Sequence, residues 1–212
     1  MLLYYLGTGR DKSVLLVSLV WLIAIGIIAD SGFFENTSVM PPRFALVIGG
    51  AILLCIYFYR ISGKAKLNIN YLFAIHTLRV PVELGLYQLY LQKKVPVLMT
   101  YEGWNYDIAT GISAVAILVY LVLAKRKLHA KFMLWWNIIG LVLLTIIVVI
   151  AILSSPLPFQ VFAFNQPNIA VLQFPFVFLP AYIVPVVLLS HLLLLRSRQG
   201  FNDPMPASSK AK

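Results

Sequence analysis

Residues Ile69 to Leu91 read INYLFAIHTLRVPVELGLYQLYL, and this stretch decides the fold. As a helix rising about 1.5 Å per residue it is long and apolar enough to cross a bilayer. Yet it holds His76, Arg79 and Glu83 in its interior. At about 100° per residue these three fall on one face, and Leu72, Tyr87 and Tyr90 extend the same stripe. Ionisable groups at bilayer depth cost about 3 kcal/mol or more each, so they turn toward a bundle interior and mark functional sites by default.

The rest of the chain fits that reading. Of 212 residues, 61% are hydrophobic and only 11% charged, with the charges clustered between long apolar runs. A soluble domain carries about 25% charge, so the composition indicates a polytopic membrane protein. The net charge of +10 would raise nucleic acid as a partner for a soluble chain. Here it is expected from basic cytoplasmic loops, with the lipid bilayer as the partner. A single cysteine, Cys55, excludes an intrachain disulfide.

The expected fold is an all-α membrane protein, a bundle of six transmembrane helices in one domain over residues 1–195. The spans fall at about 14–29, 44–59, 67–91, 107–124, 132–153 and 174–195, and a short polar tail at 196–212 is expected to be disordered. The first run could be a signal-peptide core, but no small-residue cleavage site follows, so it reads as a retained helix. Gly49 and Gly50 offer either a close helix approach or a weak spot. Pro81 should bend the third span, and Pro180 and Pro185 the sixth, with Pro175 in its first turn. Thr110, Gly111, Ser113 and Ala114 make the fourth span close-packing. Trp135 and Trp136 suit an aromatic belt. Residues 154–173 carry no charge and three prolines, which indicates an interfacial or partly re-entrant loop.

With the N-terminus inside, thirteen Lys and Arg residues lie on the cytoplasmic side and three outside. That bias sets an N-in, C-in topology. The outer loops then carry Glu102, Trp104, Asn105, Tyr106 and Asp107, and later Phe164, Asn165 and Asn168. Either they form an aromatic collar with turn residues, or they line a vestibule above Glu83.

Arg79 and Glu83, four residues apart, can pair along one helix. The pair either pins helices together or forms a polar pocket, with Arg79 clamping an anionic group and Glu83 carrying charge. His76 serves as hydrogen-bond donor and acceptor. Asp107 opens the fourth span, where a helix cap is one role and the vestibule the other. The candidate ligand-binding set is therefore His76, Arg79, Glu83, Tyr87, Glu102, Asn105, Asp107 and Asn165. His129 and His191 fall on the cytoplasmic side by this topology; an approach of His191 to His76 from the sixth span is open to the sequence but not required by it. No catalytic, nucleotide-binding or metal motif is present, and no cofactor is indicated. No lysine sits in the last span to carry a retinal Schiff base, as a rhodopsin would require.

HTLRVPVE at His76–Glu83, PVLMTYEGWNYDI at Pro96–Ile108 and FNQPNIA at Phe164–Ala170 carry a resemblance. Together they resemble an uncharacterised family of small polytopic inner-membrane proteins common in Bacteroidota. The resemblance implies a bacterial inner membrane and carries no activity. Binding or transport of a small anionic ligand or a lipid through an outer-facing polar pocket is the leading expectation. A structural or accessory membrane subunit comes second, and an intramembrane enzyme last. Nothing in the sequence specifies an oligomeric state.

Overall fold

The computed structural model describes residues 1–124 and 128–197. The basic run at 125–127 and the polar tail beyond Ser197 lie outside the described residues. Helix makes up 70% of the structure, and the described residues contain no strand. The helices are α1 (Leu2–Gly7), α2 (Lys12–Asp30), α3 (Ala45–Ile61), α4 (Ile69–His76), α5 (Arg79–Leu91), α6 (Asp107–Ala124), α7 (Ala130–Leu153) and α8 (Val184–Ser197). A π-helical turn at Leu179–Ile183 leads into α8. Four segments are long and apolar enough to cross a membrane: α2, α6, α7 and Leu179–Ser197. The apolar α3 is shorter, at 17 residues.

The stretch from Ile69 to Leu91 is two helices, not one bent helix. The break falls at Thr77–Leu78, one turn before Pro81. Proline has no N–H, so the Thr77 carbonyl loses its usual i+4 donor. The backbone tightens there: Val80 N–H donates to Thr77 O at 3.2 Å, and Leu78 N–H to Ile75 O at 3.1 Å. The Thr77 hydroxyl donates back to Ala74 O at 2.8 Å. Arg79 is thus the first residue of α5, at a bend, instead of a mid-helix residue.

Prolines shape the last helix in the same way. The sixth span is expected from residue 174, but Phe174–Val177 form turns and the membrane-length helical segment runs from Leu179. Pro185 leaves the Ala181 carbonyl without an i+4 donor, and the Trp21 indole N–H on α2 replaces it at 2.9 Å. One turn away the Ser18 and Tyr182 hydroxyls share a hydrogen bond of 2.8 Å. The Leu179–Ser197 segment is the central one: 56% of its span is buried, against 28% for each of α2, α6 and α7.

The amphipathic start of the chain is itself packed. Helix α1 lies on α4, with Tyr4 fully buried, stacked on Phe58 and hydrogen-bonded to Ser62 at 3.1 Å. Asn68 N–H donates to Gly7 O at 2.9 Å and ties the two helices. Asp11 then caps α2 by accepting from Ser13 N–H at 2.8 Å, which holds its carboxyl below the usual carboxylate range.

Gly50 and Gly49 separate the two expectations for the glycine pair. A Cβ on Gly50 would sit 2.0 Å from the Trp21 ring, whereas one on Gly49 meets nothing within 4 Å. Gly50→Ala is expected to displace Trp21, orphan the Ala181 carbonyl and cost about 1–3 kcal/mol. Gly49→Ala should be neutral or slightly stabilising, because alanine favours helix. Thermal midpoints of the two variants in detergent check this.

Candidate functional site

The break before Arg79 aims its side chain between α6 and α8. Arg79 Nη1 donates to Asp107 Oδ1 at 2.6 Å, and both side chains are buried. The partner of Arg79 is therefore Asp107, not Glu83. Glu83 instead accepts from Asn105 Nδ2 at 2.5 Å. The same amide donates to Met99 O at 2.9 Å, so both its protons are used. Asn105 Oδ1 accepts from Asp107 N–H at 3.1 Å. Asn105 thus supplies the cap expected of Asp107, which frees the Asp107 carboxylate for Arg79.

The network continues in a fixed direction. Arg79 Nη2 lies 3.0 Å from His191 Nε2, and a guanidinium only donates, so this nitrogen carries the lone pair. His191 Nδ1–H then donates to Asn137 Oδ1 at 2.8 Å, and Asn137 Nδ2 donates to Met133 O at 2.7 Å. The topology reading put His191 on the cytoplasmic side. It is fully buried in the bundle beside Arg79, because α8 is the central helix and turns this face inward. Its ring centroid lies 4.1 Å from that of His76. Ser190 Oγ donates to Val187 O at 2.8 Å, so His76 Nε2–H donates to Ser190 Oγ at 2.9 Å. That leaves His76 Nδ1 as a buried acceptor without a partner, and Arg79 Nε as a buried donor without one.

Small residues permit this crossing. A Cβ on Gly140 would stand 2.4 Å from His191 Cε1, and one on Gly111 only 3.0 Å from the Val80 backbone nitrogen. Trp136 is no belt residue: it covers both histidines, with centroids 5.1 Å from His76 and 5.4 Å from His191. Its N–H donates to Ser113 Oγ at 3.0 Å. Trp135, 61% exposed, faces outward.

Beside the network lies a groove of about 460 Å³, within the range of small-molecule sites. Its walls come from α3, α7 and the Leu179–Leu188 region, with Val82, Glu83 and Leu86 contributed by α5. On α3 the lining runs from Ile48 to Ile56, about 12 Å of helix. Its side chains are apolar except for Cys55, Glu83, Asp107, Ser155 and Asn168. Arg79 and His76 do not line it.

The remaining expected residues lie elsewhere. Tyr87 donates to Glu102 at 3.0 Å on the exposed surface and stacks on Tyr101. Asn165 is exposed and makes none of the network's hydrogen bonds. The amide of that loop that reaches the groove is Asn168, three residues on. Its Nδ2 donates to Ala151 O at 3.1 Å, which fixes the amide orientation, and its Oδ1 is buried with no partner. Among the described residues no three His, Cys, Asp or Glu side chains come together as metal ligands.

The model of a domain of unknown function, DUF8737, matches residues 40–197. The chain belongs to the DUF8737 family. No curated protein and no solved structure matches it. The matched segment runs from α3 through α8 and so contains the whole network and the groove. An integral membrane protein of unknown activity is what the apolar helices and this family together support.

Removing one member of the Arg79–Asp107 pair leaves a buried charge uncompensated. Arg79→Leu and Asp107→Leu are each expected to lower stability by about 3–5 kcal/mol, and the double variant by clearly less than the sum. Denaturation of all three variants in one detergent provides the cycle.

Proposed function

We propose that the DUF8737 protein binds a lipid-like small molecule, with its apolar part in the groove between α3 and α7. The observation that carries this reading is the groove itself: about 460 Å³ of apolar lining with two carboxylates in its wall. Six spans complete the reading: α2, α3, α4 with α5, α6, α7 and Leu179–Ser197. The thirteen-to-three distribution of basic residues supports an N-in, C-in orientation, and the family resemblance supports a bacterial inner membrane. In that orientation the network of Glu83, Asn105 and Asp107 lies toward the outer loops, with His76 further in.

The geometry moves the ligand's sign away from an anion. Arg79 is held by Asp107 and His191 and does not line the groove, so it offers no clamp to an anionic group there. A second reading, an accessory subunit that uses these charges for packing alone, is favoured by the saturation of the Arg79–Asp107 pair within one chain. The groove separates the two readings, since packing alone needs no cavity.

Ala51 lines the groove and is buried on α3. Wild-type protein in lipid nanodiscs should carry a bound amphiphile detectable by native mass spectrometry, and Ala51→Phe, which fills the groove, should lose it. Identical lipid occupancy in both proteins would favour the packing role. The topology has its own check in a Cys55→Ser background. Asn36→Cys should react with an impermeant maleimide added outside intact cells, and His129→Cys only after permeabilisation.

A further inference from the structure

The polar atoms that line the groove have one chemistry in common. Glu83 and Asp107 are the two carboxylic residues of the lining. Asn168 is fully buried, and its Oδ1 accepts from nothing. Each side-chain donor in the lining is already spent inside the protein. Ser155 Oγ donates to Ala151 O at 2.7 Å. Asn168 Nδ2 is held by Ala151 O. The weak thiol donor of Cys55 points at Pro185 O, 3.9 Å away. A polar ligand group on this wall meets carboxyl groups and no free amide, hydroxyl or thiol donor.

Charge points the same way. One guanidinium, Arg79, faces two buried carboxylates, and it contacts Asp107 alone. Glu83 is matched only by a neutral amide, Asn105. The imidazoles beside Arg79 add no cation to the groove, because neither histidine lines it. The site therefore has one more carboxyl group than guanidinium, and a ligand that brings both a positive charge and several donors completes it. An ammonium does both at once, with three donors and no acceptor.

From this we infer that the groove of the DUF8737 protein is a binding site for a membrane amphiphile carrying a protonated primary amine, its ammonium on Glu83 and its chain along α3 and α7. The inference rests on the groove being a binding site and adds the headgroup. Trimethylation of the amine keeps the charge and removes every donor, so it should weaken binding. An alcohol keeps one donor and no charge. A carboxylate is repelled.

The chain's single cysteine reports occupancy, because Cys55 lines the groove. Full-length protein in nanodiscs of uncharged lipid is labelled with N-phenylmaleimide in the presence of dodecylamine, dodecyltrimethylammonium, dodecanol or dodecanoate. Dodecylamine is expected to slow labelling at concentrations at least about tenfold lower than the other three need. Glu83→Gln keeps the acceptor for Asn105 and removes the charge, and it should erase that tenfold preference. Equal protection by dodecylamine and dodecanol in the wild type overturns the headgroup inference and leaves the groove reading standing. Protection by none of the four overturns both. The wild-type ranking decides the matter even where Glu83→Gln does not fold.

Discussion

Everything in the centre of this bundle depends on the buried ion pair between Arg79 and Asp107. A guanidinium in a bilayer-spanning bundle is tolerable only with a counter-charge and satisfied protons. Asp107 supplies the charge from the start of α6, His191 takes another proton from α8, and Asn137 orients that histidine from α7. One side chain on α5 thereby registers three other helices. The small residues Gly111 and Gly140 are the steric condition for this, since a methyl group at either would push the crossing apart. Specificity of helix packing, more than raw stability, is what such a network contributes.

Backbone chemistry puts Arg79 where it can act. Pro81 removes one donor, the helix breaks a turn earlier at Thr77–Leu78, and the residue after the break heads a new helix. Proline does comparable work at Pro185, where the freed carbonyl recruits Trp21 from α2. In both places a missing N–H is answered by a defined partner, either a tightened turn or an indole. The bends are therefore fixed features of the packing, as membrane helices require.

Part of this was legible in the sequence. The stripe of His76, Arg79 and Glu83 could be read because helical periodicity survives the break, and all three are buried. The pairing could not. Spacing along one helix makes Arg79 and Glu83 obvious partners, but a competitor on α6 lies closer in space, and no local rule sees across helices. The central place of His191 was hidden for the same reason: its neighbours are 112 and 54 residues away in sequence. In the loop FNQPNIA the sequence offers Asn165 and Asn168 alike, and only the fold turns Asn168 inward. The apolar runs announce helices, yet the last helical segment starts at Leu179 and not at residue 174, because apolar turns at Phe174–Val177 read like helix.

The role we propose for this arrangement is recognition in the groove. The guanidinium of Arg79 is occupied within the chain by Asp107 and His191. The groove is an apolar slot whose wall includes Glu83, a carboxyl group matched only by the neutral amide of Asn105. The most direct measurement is a cryo-electron microscopy map of the full-length protein in lipid nanodiscs. The account predicts elongated density between α3 and α7, with its polar end in contact with Glu83. A map in which α3 closes onto α7 and leaves no space beside Glu83 would contradict it.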